Sequence, residues 1–194
     1  MFGVAEIVLM RFFLCFWVVF FFVPQAFALN EAAQGRACEK KIVALIDGAE
    51  KYIDAAVYSI NRKSIVNALI AAKKRGVKIR LLTDRSQLAS IKDMNDVERL
   101  MIAGIDVRIH TTKGLMHAKM AVFDGKNTVS GSFNWTDSAA ERNHEVCNLF
   151  TDDPASAAQH QQIFDRFWQE NPQDKSDRWL RLRGRCGDIL LLRT

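Results

Sequence analysis

From His117 the chain reads His-Ala-Lys-Met-Ala-Val-Phe-Asp, and Gly131-Ser132-Phe133-Asn134 follows a few residues later. An imidazole and an ammonium two residues apart, with an aspartate five beyond the lysine, are reagents for cleaving a phosphodiester. If residues 117–123 form a strand, alternation puts His117 and Lys119 on one face. A phosphodiester resists attack because its oxygens are charged and its leaving group is poor. A catalyst must supply a nucleophile, a charge clamp and a proton for the departing alkoxide. Imidazole is nucleophilic and largely neutral near pH 7, which suits His117 to the attack. Lys119 then clamps the phosphate oxygens. Ser132 and Asn134 offer a hydroxyl and an amide to the non-bridging oxygens. Glu145, in Asn143-His144-Glu145, is placed to accept from the imidazole N–H and fix its tautomer. Asp124 ends the strand before Gly125, where it orients rather than reacts. The catalytic candidates are therefore His117, Lys119, Asp124 and Glu145, and the phosphate-binding candidates Lys119, Ser132 and Asn134. The sequence has no CxxC and no Cys/His cluster with zinc spacing, so neither a metal site nor a cofactor is expected.

These residues need a frame to hold them. Ile42, Leu45, Ile46 and Ala49 follow the helical period, as do Ile65, Ala68, Leu69 and Ala72, whose helix ends at Lys73-Lys74-Arg75-Gly76. Val97, Leu100 and Met101 mark a third helix stopped by Gly104. Strands are predicted over 55–60, 77–83, 105–110, from His117 onward, over 127–131 and over 145–150. Asp153-Pro154 caps a last helix carrying Ile163, Phe164, Phe167 and Trp168 inward. Alternating β and α elements predict an α/β fold with a mixed, mostly parallel β-sheet flanked by helices on both faces.

The chain has 194 residues, 49% of them apolar, and a formal net charge of +5. That is enough for one α/β domain, and the basicity suits a polyanionic partner. Residues 12–23 are an unbroken apolar run, short for a membrane-spanning helix of about 20 residues. Ala26-Phe27-Ala28 follows as an A-x-A cleavage site, the form of a secretory signal peptide. Arg11 gives a basic start if translation begins at Met10 rather than Met1. The expected organisation is a signal peptide over 1–28, a catalytic domain over 29–171 and a basic tail over 172–194. The mature protein is expected to be periplasmic or secreted, with no stable membrane partner. An uncleaved N-terminal anchor is the alternative. Of the remaining cysteines, Cys38 and Cys186 are expected to staple the domain ends, and Cys147 to be a buried core thiol.

The pattern HxK(x)4D in His117, Lys119 and Asp124 resembles the signature of the phospholipase D superfamily. It is most similar to that of its small secreted bacterial nucleases with one copy of the motif. The resemblance continues through Gly131-Ser132-Phe133-Asn134 to Glu145, includes Ala71 to Val77, and covers roughly residues 38–171. It implies the phospholipase D/nuclease fold and catalysis through a covalent phosphohistidine without metal. It also implies that a single-motif chain forms its site across a homodimer two-fold. Chemistry points the same way, because His117 cannot stand on both sides of phosphorus and the leaving group needs a second acid. The chain offers His110, His144 and His160, or His117 of a second copy.

The function expected is a metal-independent endonuclease acting on DNA or RNA with little sequence preference, working as a homodimer. A phospholipid phosphodiesterase at a membrane surface is the alternative, disfavoured by the polar loop Asp84 to Asn95. A nucleic-acid-binding protein with a vestigial site is a third reading. Phe133 and Trp135 are expected in the core or the site wall, or stacked on a base.

Overall fold

The computed structural model describes residues 29–182 apart from Ser90. The expected signal peptide, Cys186 and the end of the basic tail lie outside these residues, as do Ser90 and the side chains of Lys92 and Asp93 in the polar loop.

Seven strands form one sheet: β1 (Leu29–Gln34), β2 (Tyr52–Val57), β3 (Lys78–Asp84), β4 (Asp106–His110), β5 (Lys119–Phe123), β6 (Asn127–Gly131) and β7 (Val146–Thr151), in the order β1-β7-β6-β5-β2-β3-β4. The helices are α1 (Arg36–Asp47), α2 (Lys63–Lys74), α3 (Ile91–Ile102), α4 (Asp137–Glu141), α5 (Pro154–Glu170) and α6 (Gln173–Leu182).

The mixed α/β fold is as expected, but "mostly parallel" is corrected. Among the described strands, β2–β3 and β3–β4 pair parallel. The pairs β1–β7, β2–β5, β5–β6 and β6–β7 are antiparallel. Parallel neighbours need a crossover helix, and α2 and α3 supply the two here. After β4 the connections shorten, and β5 and β6 are joined by a tight hairpin with positive φ at Asp124 (54°) and Gly125 (69°).

Helices cover both faces. Cys38, Ile42 and Ile46 of α1, with Ile65 and Leu69 of α2 and Val97 and Leu100 of α3, pack on Ile53, Ala55, Leu81, Val107 and Ala121 of the sheet. Phe164 and Trp168 of α5 pack on Ala56, Leu82 and Met120 of the other face. Asp153 caps α5 as predicted, its side chain accepting from the Ser156 N–H at 2.9 Å, with Pro154 in the first turn. A partly exposed charge cluster centred on the buried Asp54 also holds α5 down. Arg80 of β3 donates two hydrogen bonds to Asp54 of β2, 2.7 and 2.6 Å, and one to Asp165 of α5, 2.9 Å.

Two features depart from the cysteine and tail expectations. Cys147 is not a free core thiol: it is bonded to Cys38, across a sequence separation of 109, and both are fully buried. The expected Cys38–Cys186 staple is thereby corrected, since Cys38 is already taken. The stretch expected as a basic tail begins with α6, and the buried Ser176 Oγ both accepts from the Ile109 N–H at 2.9 Å and donates to the Ile109 carbonyl at 3.2 Å.

Candidate functional site

The candidate residues gather where four strands end together: β2 and β6 at their C-termini, β5 and β7 at their N-termini. Register places Val57 opposite Lys119, Met120 opposite Ser130, and Gly131 opposite Cys147. Residues far apart in sequence thus meet at one rim of the sheet.

His117 is exposed and stands two residues ahead of β5. The extended pairing persists toward it, because the Tyr58 N–H donates to the Ala118 carbonyl at 2.9 Å. Two contacts from other strands fix the segment. The buried carboxylate of Asp84, at the end of β3, accepts from the Met116 N–H at 2.8 Å. The Tyr58 ring lies 4.6 Å from the imidazole, centroid to centroid, and its hydroxyl accepts from Gln87 Nε2 at 2.7 Å.

Lys119 is buried, and its Nζ lies 5.0 Å from the centre of the same Tyr58 ring. One N–H donates to the His117 carbonyl at 2.7 Å. An ammonium carries three donors, so two remain for an anion. Burial pushes the Lys119 pKa below its usual 10.5, and the Glu145 carboxylate acts in the opposite sense. Having lost hydration, the ammonium interacts more strongly with a phosphate than an exposed lysine does.

Ser132 and Asn134 follow β6. The Ser132 Oγ accepts from the Val146 N–H at 3.1 Å, and the Ser132 N–H donates to the Val146 carbonyl at 3.0 Å. With that lone pair engaged, the hydroxyl hydrogen is left to donate. Asn134 has its Oδ1 enclosed and without a partner among the described residues. Gly131 makes this close approach of strands feasible, since a Cβ there would lie 2.4 Å from the Val146 carbonyl oxygen and 3.0 Å from the Cys147 Cα.

Two expected roles change. Glu145 stands at the start of β7, where its Oε1 accepts from Asn143 Nδ2 at 3.2 Å. Among the described residues no hydrogen bond joins it to the His117 imidazole, so the expected tautomer lock is not formed. Its field reaches Lys119 instead. Asp124 lies at the far end of β5, seven residues past His117, roughly 20 Å along an extended chain. Its carboxylate accepts from the N–H groups of Glu50, Lys51 and Tyr52 at 2.9, 2.8 and 2.9 Å. It binds the hairpin to the start of β2 and stands away from the chemistry. Burial alone would raise its pKa, but the hydrogen bonds from Glu50, Tyr52 and Lys51 outweigh this and hold it below 3.8.

Stability from Asp124 is therefore fully present above its unfolded value near 4 and lost as pH falls through the lowered native value. Asp124→Asn is expected to cost about 1–3 kcal/mol with kcat per folded molecule unchanged. Urea denaturation alongside initial rates checks this. A fall in kcat at unaltered stability would return Asp124 to the catalytic set.

The other histidines sort clearly. His160 is on α5 beside Phe150, at the opposite sheet end, with Nδ1 2.9 Å from the Ser156 carbonyl. His110 has both ring nitrogens engaged, by Asn171 Oδ1 at 3.0 Å and Thr112 Oγ1 at 3.3 Å. His144 is exposed in the loop before β7. Phe133 and Trp135 are buried in the core, so neither stacks on a base.

Sequence reading missed Tyr58 and Asp84. Each carries a weak mark: a polar residue closing an apolar strand run, at a strand's C-terminal end.

Comparison with known proteins places this geometry in context. The family described as cardiolipin synthase, PLD-like domain, matches residues 42–168. The chain is 40% identical over 129 residues to a phospholipase D of Rickettsia prowazekii, covering 66% of this chain and 62% of that one. It is 34% identical over 130 residues to a mitochondrial cardiolipin hydrolase of Xenopus tropicalis, covering 67% and 60%. The match thus spans about three fifths of the length of these relatives. In fold it is similar to the phospholipase D family member Nuc of Salmonella typhimurium, with TM-score 0.72 at 23% identity over 75% of this chain and 97% of that one.

Proposed function

The chain belongs to the phospholipase D-like family, and on that footing we propose that it is a phosphodiesterase that cleaves nucleic acid from a site completed by a second copy of itself. The observation that carries this reading is the pairing at the sheet rim: an exposed imidazole and a buried ammonium that share the Tyr58 ring, with no carboxylate paired to that ammonium among the described residues. His117 attacks phosphorus, forming a P–N bond as the P–O bond to the leaving group breaks. An acid on the opposite side protonates the departing oxygen. That imidazole, now neutral, takes a proton from water, which attacks phosphorus and frees His117. Lys119, Ser132 and Asn134 hold the non-bridging oxygens throughout.

The acid is assigned to His117 of a second copy. His160 stands at the wrong end of the sheet, His110 is hydrogen-bonded at both nitrogens, His144 is exposed in a loop with no hydrogen bond orienting its ring among the described residues, and a two-fold axis supplies an equivalent imidazole with its own lysine. Export is supported by the buried Cys38–Cys147 disulfide, which persists in oxidising compartments. No helix among the described residues is long and apolar enough to cross a membrane.

A phospholipid substrate is a second reading. It is favoured by the exposed side chains of Leu115 and Val146 near the site, 59% and 51% accessible, and by what the relatives are called. Purified protein is to be assayed on plasmid DNA, RNA and cardiolipin vesicles, each with EDTA. Nucleic-acid cleavage that persists in chelator is the expected result. Hydrolysis of vesicles alone selects the lipid reading, and loss of all activity in EDTA removes the mechanism.

A further inference from the structure

Beside His117 lies a recess of about 140 Å³ whose lining includes none of Lys119, Ser132 and Asn134. It is lined by Leu115, Met116, Ala118 and His117 from the β4–β5 loop, His110 from β4, and Phe167, Glu170 and Asn171 from the end of α5. Its far wall is firmly built. Arg108 donates to the Trp168 and Asn171 carbonyls at 2.8 and 3.3 Å and stacks 3.9 Å over the Trp168 ring. A cation at these carbonyls also complements the helix dipole. Asn171 holds the His110 ring and donates to the Phe167 carbonyl at 2.8 Å.

Resting on the nucleic-acid reading above, we propose that this recess receives the base next to the scissile phosphate, and that Glu170 reads its amino edge. The volume suits one planar heterocycle and is too small for the length of an acyl chain. Phe167 and Met116 offer apolar surface for a ring face. Glu170 is exposed at the rim, and no hydrogen bond or ion pair engages its carboxylate among the described residues. An ionised carboxylate accepts only, so it favours the N–H2 edges of cytosine, adenine or guanine. It disfavours thymine and uracil, whose carbonyls flank their one ring N–H. A modest base preference thus replaces the expectation of none.

The test uses full-length protein and single-stranded oligonucleotides that differ only in the base beside one cleavable phosphodiester. Wild type is expected to cleave next to amino-bearing bases about tenfold faster than next to thymine, a factor appropriate to one charge-assisted hydrogen bond. Glu170→Gln is expected to collapse that ratio. Phe167→Ala is expected to raise KM on oligonucleotides several-fold, and Phe167→Leu, which keeps the packing on α5, raises it too if stacking is lost. A ratio near one in wild type, or a ratio unmoved by Glu170→Gln, overturns the base assignment while leaving the nuclease reading intact. Vesicle hydrolysis with no oligonucleotide cleavage overturns both.

Discussion

Replacing His117 with alanine is expected to lower phosphodiester cleavage by at least four orders of magnitude, on the scale seen when a covalent nucleophile is removed. The sharper measurement is on hybrids. Differently tagged wild-type and His117→Ala chains, co-expressed and purified as the mixed dimer, separate two arrangements. If one phosphorus lies between two imidazoles, a hybrid has lost either its nucleophile or its acid, and activity falls to a few per cent or less. If each chain works alone, the hybrid keeps half. A half-active hybrid, or a fully active monomer, ends the shared-site reading. Lys119→Met tests the clamp separately and is expected to lose roughly 10²–10³ in kcat, the scale for removing one donor aimed at developing charge.

The second large effect is on stability. The Cys38–Cys147 bond closes a loop across a separation of 109 residues, and a closure of about 100 residues is worth roughly 4.7 kcal/mol in the chain-entropy description. Cys38→Ala with Cys147→Ala is expected to lower unfolding free energy by about 2–5 kcal/mol. For a domain of this size that is a fall of about 5–20 °C in Tm. Both sulfurs are buried, so dithiothreitol should act slowly on the native protein and rapidly once urea opens it. Identical denaturation curves for the double variant and the parent would remove this contribution. The bond also anchors β7 where Val146 grips Ser132, so the double variant is expected to lose activity at temperatures the parent tolerates.

How legible was this molecule beforehand? His117, Lys119, Ser132 and Asn134 are close in sequence, and a strand, a turn and the next strand suffice to bring them together. Tyr58 and Asp84 were not legible as site residues. They reach His117 only through the β2–β5 pairing and the fold of the loop before β5, with a sequence separation of 32 between Asp84 and its Met116 partner. Asp124 was misplaced because an aspartate before glycine reads equally as a turn and as chemistry, and only the α1–β2 connection behind it decides. β1 passed unseen, since Leu-Asn-Glu-Ala-Ala-Gln has neither β-branched residues nor an apolar face, and it becomes a strand by lying along β7. The parallel pairing was overstated because β/α alternation holds only as far as β4. Helices α1, α2 and α3 on the first face were legible, since each repeats its apolar residues at the helical period.

Ser176 has an effect beyond holding α6 in place. By occupying both the N–H and the carbonyl of Ile109, its hydroxyl stops the outermost strand from offering those groups to a neighbouring molecule. Unsatisfied rims of this kind are where sheets from separate chains zip together and precipitate. Trimming the protein back to Asn171 would uncover that rim, so the shortened form should turn cloudy on concentration even where its catalytic residues are untouched.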